Sequence, residues 1–465
     1  MDSYRSPFAE RYASVDMQHL FSPQYKHSTW RRLWLALAQA QHELGLPITQ
    51  AQIDQMAAHL DDIDWQKVAD YESQMQHDVM AHIHAYADQC PLARPIIHLG
   101  ATSCYVTDNG DLIQMHAGMR LLLPKLALVI QQLSDFARQH AHLACLAYTH
   151  FQAAQPTTVG KRTCLWIQDL LLDLQELHRQ IQGLRFLGIK GATGTQASFL
   201  ELFAHDHTKV AALEHLIAKK MGFTHLFHIA GQTYTRKQDV HVLNALAGIA
   251  ISAHKMGTDL RLLAHLKEVE EPFSQDQVGS SAMPYKRNPI LSERLCALAR
   301  FLMSLAENPA YTAATQWLER SLDDSANRRL CIAEAFLCCD ALLEILLKLS
   351  RGLVINKGII TQHLAAEMPF LATENILMRG VAKGGDRQQL HAKIRTHCLA
   401  ASQRIKEQGL PNDLLERLAA DPALALSQQE LAQLTDPTHF IGNAAAQVAE
   451  FWHQEIQPAL ANANR

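Results

Sequence analysis

Residues 238–271 contain no proline, and Leu243, Leu246, Ala250, Ala253, Met256, Leu260 and Leu263 recur along them every three or four positions. That spacing keeps apolar side chains on one face of an α-helix, and the run exceeds the ~11–12 residues of an average globular helix. Pro272, which cannot continue the helix, marks its expected end. Leu122, Leu126, Val129, Leu133 and Phe136 repeat the pattern, as do Leu170, Leu174, Leu177, Ile181 and Leu184. Two further helical segments are expected at 289–305 and 326–349. Apolar residues also spread to a second face, as in Leu170-Leu171-Leu172 and Ile345-Leu346-Leu347. A helix apolar on two faces must be covered on both. One antiparallel bundle covers one face, so the second predicts packing between subunits. Extended β runs are nearly absent. The pattern therefore predicts an all-α oligomer built on a long central helical bundle.

The flanking regions are less regular. Shorter helices are expected over 29–44, 49–60 and 65–87, and the pattern gives way to a loop at 97–103. Beyond Gly352, breaks are expected at Pro369, Gly384-Gly385, Pro411, Pro422 and Pro437. This divides the chain into an N-terminal helical domain (1–102), a central bundle (103–355) and a small C-terminal helical domain (356–465). Hydrophobic residues at 48% against 19% charged are enough for a large core. A net charge of -4 gives no bulk attraction to nucleic acid, so any anion site must be local. Apolar runs such as 121–130, interrupted by Pro124-Lys125, fall short of the ~20 residues of a membrane span. The polar start, Met1 to Pro7, lacks the apolar stretch of a secretory signal. Nine cysteines without a CxxC pair fit a reduced, cytoplasmic chain.

The stretch Gly279-Ser280-Ser281-Ala282-Met283-Pro284-Tyr285-Lys286-Arg287-Asn288-Pro289-Ile290 lies between two long helical segments. Gly and Ser favour irregular backbone, and Asn288-Pro289 reads as the start of a helix. Ser280, Ser281 and Lys286 offer a nucleophile or base and a cation for an anionic substrate; an ordinary polar interhelical loop has the same composition. His77, His82 and His84 are dense in sequence, yet only His77 and His84 would share a helix face, and no zinc spacing is present. They are expected to be surface or hydrogen-bonded histidines rather than metal ligands. His150, flanked by Thr149 and Gln152 just before a helical segment, is a candidate general acid or a solvated loop histidine. Gly188, Gly191 and Gly194 match neither phosphate-binding glycine pattern and read as turns.

The Gly279–Asn288 string resembles the signature loop of the fumarase/aspartase superfamily, G-S-S-x-M-P-x-K-x-N, at every fixed position. Tyr285, Arg287 and Pro289 make it most similar to the adenylosuccinate lyase family in its eukaryotic-type form. His77-Asp78 resembles that family's H-D-V-x-A-H block, and Thr149-His150 its T-H-x-Q-P-A-Q block, with Ala153 replacing the usual proline. Thr102-Ser103, Gln232, Arg11-Tyr12, Arg294 and the Arg320–Arg329 run resemble further blocks. The resemblance implies a three-domain subunit and a cofactor-free, metal-free anti β-elimination that releases fumarate from adenylosuccinate or from the succinylated aminoimidazole carboxamide ribotide. It implies Ser280 as base, His150 as proton donor to the leaving nitrogen, and His77 as the residue that orients it or binds the substrate. Lys286, Thr102, Ser103 and Gln232 would bind the succinyl group. Arg11, Tyr12, Arg320, Ser325 and Arg329 would bind the nucleotide end. Asp78, Thr149, Asn288 and Arg294 are also implied in substrate binding. It further implies a homotetramer with sites shared between subunits, a small-molecule nucleotide substrate, and neither nucleic acid nor membrane as partner. A sister enzyme such as argininosuccinate lyase, disfavoured by the Arg/Ser set, and a non-catalytic protein on the same fold, disfavoured by His150, Ser280 and Lys286 together, are the alternatives.

Overall fold

The computed structural model describes residues 3–274 and 277–463; positions 275 and 276, where the expected signature-loop segment 275–289 begins, lie outside them. Helix α1 (Pro23–Glu43) starts on Ser22, whose side chain accepts from the Tyr25 N–H, with Pro23 in its first turn. The single helix expected over 65–87 is two, α2 (Trp65–Met75) and α3 (Asp78–Gln89). Gln76 takes the left-handed region (φ 52°), and His77 is extended and caps α3 through the Met80 N–H. The chain continues through α4 (Cys104–Gln139), a hairpin of β1 (Ala144–Thr149) and β2 (Gln152–Thr158), α5 (Val159–Gly183) and α6 (Lys237–His265). Strand β3 (Val269–Glu270), α7 (Ile290–Leu305), α8 (Asp324–Gly352) and β4 (Val354–Ile355) follow, then α9 (Lys357–Leu371) and further short helices.

Helix dominates, as the apolar periodicity predicts, and Leu243, Leu246, Ala250, Ala253, Met256, Leu260 and Leu263 are all buried. Two expected breaks fall differently. Helix α6 stops at His265, because Lys267 adopts φ 60° and the chain turns into β3, which pairs antiparallel with β4. Pro369 lies inside α9 rather than ending it, and Pro124, within the expected helical run of Leu122 to Phe136, lies inside α4. A proline removes one helical hydrogen bond, and both prolines sit in helices whose neighbouring apolar residues are buried, which outweighs that loss. Helix α4 as a whole is long and apolar enough to cross a membrane, although the shorter run 121–130 is not. Its Leu112, Met115, Met119, Leu122, Val129 and Leu133 are buried within the protein. Among the described residues no disulfide joins the nine cysteines, most of which are buried.

The chain forms two compact units. Unit one is Met1–Ala127, Leu172–His254 and Arg294–Leu346; unit two is Leu128–Leu171, Lys255–Glu293 and Leu347–Arg465. Unit two has a core in which Cys145, Leu146 and Val159 of the hairpin region pack with Leu364, Met368, Ile376, Leu390, Leu418 and Leu431 from the C-terminal helices. This burial anchors the base of the hairpin and leaves its turn exposed.

Candidate active site

Unit one contains a cleft of about 890 Å³. His77 and Asp78 enter it from the junction of α2 and α3, Ser103 from the residue before α4, and Gln232 from the loop before α6. Arg320, Ser325 and Arg329 enter from the approach and first turns of α8. Seven sequence-predicted residues, separated by up to 252 positions, thus share one cavity.

Each is held by a specific contact. Arg329 Nη2 donates to Asp78 Oδ2 at 2.8 Å. Burial opposes ionisation of Asp78, but the Val79 N–H and the Arg329 guanidinium outweigh it and keep the carboxyl below its usual range. Ser103 Oγ lies 3.5 Å from His77 Nε2, whose Nδ1 is occupied by the α3 cap. Gln232 donates its side-chain N–H to the Ala192 carbonyl at 3.1 Å and its backbone N–H to the Glu319 carbonyl at 3.0 Å. The neighbouring Gly231 allows this approach, since a Cβ there would lie 2.5 Å from the Glu319 oxygen.

Beneath the cleft runs a buried charge network that sequence reasoning missed. Arg236 donates Nη1 and Nη2 to Asp108 at 2.9 and 3.1 Å, and Nε to Asp324 at 2.7 Å. Asp324 also accepts from Arg320 Nη1 at 2.8 Å. Arg328 donates Nε to Asp239 at 2.7 Å and pairs with Asp111 at 2.9 Å. Both networks also reach Tyr234, whose N–H donates to Asp108 and whose hydroxyl donates to Asp239. These carboxylates and guanidiniums come from segments far apart in sequence, so no local spacing reveals them. Lys26 of α1, likewise missed, also lines the cleft and sits 5.4 Å from the Trp30 ring centroid. Lys26, Arg320, Arg329 and the N-terminus of α8 can meet an anionic ligand in this cleft, beside the carboxylates Glu72, Asp78, Asp108, Asp111 and Asp324 that line it too.

Arg11, Tyr12 and Arg294 form a separate cluster in unit one. The two guanidiniums lie 5.9 and 5.6 Å from the Tyr12 ring centroid, within cation–π range. These three residues and Thr102 are not among the residues lining the cleft. Thr102 accepts the Tyr105 N–H through its backbone carbonyl as α4 begins.

Unit two carries the remaining candidates. His150 does not precede a helix; with Phe151 it forms the two-residue turn between β1 and β2, at φ 53° and 56°. Both residues are left-handed, as a type I′ turn requires, and neither is the glycine or asparagine that such turns favour. The exposed imidazole is therefore presented at a hairpin tip by strained backbone, with Thr149 paired to Gln152 just beneath it. In the signature loop, Ser280 Oγ accepts the N–H groups of Ala282 at 3.3 Å and Met283 at 3.1 Å. Two donors on one hydroxyl oxygen favour its anionic form. Asn288 Nδ2 donates to the Gly279 carbonyl at 2.8 Å and closes the loop, and the exposed Lys286 bonds its backbone N–H to the Met283 carbonyl at 3.0 Å. Glu271 accepts from the Leu291 and Ser292 N–H groups and so caps α7.

The dense histidines go separate ways. His77 is a helix cap, His82 stacks on His27 with ring centroids 3.9 Å apart, and His84 lies against Tyr71. Among the described residues no group of three or more His, Cys, Asp or Glu is placed to hold a metal ion.

The models of two families match this chain: Lyase over residues 20–303 and Adenylosuccinate lyase C-terminus over 369–451. The chain is 49% identical over 462 residues to an adenylosuccinate lyase of Schizosaccharomyces pombe, covering 99% of this chain and 96% of that protein. It is 48% identical over 461 residues to an adenylosuccinate lyase of Schistosoma mansoni, with the same coverage. Its fold is similar to that of 3-carboxy-cis,cis-muconate lactonizing enzyme from Pseudomonas putida, with a TM-score of 0.84 at 22% identity over 98% of this chain and 99% of that one. A likeness this complete, joined to the signature loop, leads to one conclusion: the chain belongs to the adenylosuccinate lyase family.

Proposed function

We propose that this chain eliminates fumarate from adenylosuccinate to give AMP, and from the succinylated aminoimidazole carboxamide ribotide by the same chemistry. The full-length likeness to adenylosuccinate lyases carries this reading. The site chemistry supports it. The reaction removes a proton from the succinyl carbon beside a carboxylate, so charge builds on that carboxylate and must be met by placed donors. Ser280 is the base: the Ala282 and Met283 N–H groups stabilise its alkoxide, and Lys286 adds a cation from the same loop. His150 protonates the leaving nitrogen. Ser103, Gln232 and Thr102 bind the succinyl group, with His77 beside them. Arg320, Ser325 and Arg329, with the Arg11–Tyr12–Arg294 cluster, take the nucleotide end, and no cofactor takes part in the proton transfers.

The catalyst is a cytoplasmic homotetramer with each site shared between subunits. Exposed apolar residues on the long helices, such as Leu172 (62%), Ile251 (57%) and Leu330 (69%), support burial between copies. The test is fumarate release by the purified protein from adenylosuccinate and, separately, from argininosuccinate. Release from argininosuccinate alone would assign the sister activity. Mixing inactive His150→Ala and Ser280→Ala proteins should then restore activity; no restoration after verified subunit exchange would overturn the shared site.

A further inference from the structure

Glu268 is fully buried, although an isolated carboxylate is expensive to bury. Its partners all lie in unit two. Glu268 Oε1 accepts the Tyr148 hydroxyl at 3.1 Å and contacts His363 Nδ1 at 2.8 Å. Arg162 Nη1 lies 3.7 Å from the other oxygen, and Arg162 also donates to the Leu146 carbonyl of β1. The Glu268 carbonyl accepts the Asn356 N–H at 2.9 Å, next to the β3–β4 pair. Burial and the Glu268 charge both push the Tyr148 hydroxyl well above its usual range, so it stays a donor.

The placement of these partners is informative. Tyr148 stands two residues before His150 on β1, and the pairing of β1 with β2 shifts register between Leu146 and Tyr148. Glu268 stands immediately before β3, from which the chain runs on toward the loop carrying Ser280. One buried carboxylate therefore fixes the stem of the hairpin on one side and the stem of the loop on the other.

We propose that Glu268 is a positioning residue that, through the Tyr148 hydroxyl, sets the His150 turn against the strand from which the Ser280 loop departs. This rests on the catalytic reading of His150 and Ser280. Neither Glu268 nor Tyr148 exchanges a proton with substrate. Their role is geometric, and misplacing a reacting group by about 1 Å costs roughly 10²-fold in rate.

Tyr148→Phe removes a single hydroxyl and leaves Glu268 bonded to His363. Steady-state kinetics on the full-length protein should show kcat reduced about 10- to 100-fold with KM nearly unchanged, and an unaltered circular dichroism spectrum. Added to His150→Ala, the same substitution should cost less than about twofold more, because the group it positions is gone. Unchanged kcat in Tyr148→Phe overturns the proposal, as does an equal loss with and without His150, which marks a general structural effect. Near-normal turnover of His150→Ala alone would instead overturn the catalytic reading beneath it.

Discussion

Asp324 joins the buried charge network to Arg320, which we propose binds the nucleotide end of the substrate. It is buried, accepts Arg236 Nε at 2.7 Å through one oxygen, and Arg320 Nη1 at 2.8 Å through the other. Arg236 is itself buried, whereas the Arg320 side chain is 22% exposed. In Asp324→Ala, Arg236 keeps its two bonds to Asp108 but loses the third at a buried position. Breaking a buried pair costs about 3–5 kcal/mol, and the surviving Asp108 bonds place this case near 3 kcal/mol. With the unfolding entropy of a 465-residue chain, each kcal/mol shifts the melting temperature by roughly 1 °C, so it should fall by about 3 °C. Asp324→Asn separates the two roles. Its remaining oxygen stays with the buried Arg236, while the amide faces Arg320, which can turn to solvent. The stability loss should then be only ~1–2 kcal/mol, whereas the KM for adenylosuccinate should rise roughly tenfold, equivalent to about 1.4 kcal/mol. Thermal melts and fumarate-release kinetics on both variants make the test. A melting temperature in Asp324→Ala within about 1 °C of wild type would refute the network's structural role. An unchanged KM in Asp324→Asn would refute the role of Arg320 in binding.

Two further outcomes follow from the geometry. Gly231→Ala places a Cβ 2.5 Å from the Glu319 carbonyl oxygen, so the loop must shift; destabilisation of about 1–3 kcal/mol and a raised KM are expected, and a wild-type KM would separate Gln232 from substrate binding. Burial pushes His27 down to about 4 and His82 to about 3, from 6.5. Between those values the unfolded chain binds protons that the folded chain does not, so stability is retained above pH 6.5 and falls as the pH drops toward 4. The melting temperature should decline over that window, and His82→Phe should flatten the decline; an identical slope in the variant would contradict this origin.

The long helices were legible because Leu243 to Leu263 repeat with helical period over a proline-free run, and burial follows that period directly. The hairpin was not. Strands β1 and β2 are rich in alanine and glutamine, poor strand formers, and they pair because Cys145 and Leu146 are buried against C-terminal helices distant in sequence. The break at His77 was hidden because a left-handed Gln76 carries no sequence mark, unlike the glycine usual there. Resemblance picked out Arg320, Ser325 and Arg329, but the carboxylates Asp108 and Asp324 are joined to one another through Arg236 in three dimensions. Charge pairing across such sequence distances leaves no periodic trace.

The most direct measurement of the mechanism is mass-spectrometric product analysis of wild-type and Ser280→Ala protein, side by side, with adenylosuccinate and no added metal or cofactor. The mechanism predicts AMP and fumarate in equal amounts from the wild type, and a rate lower by about 10²–10⁴-fold in the variant with substrate binding retained. Near-normal turnover by Ser280→Ala, or no product from the wild type, would contradict it.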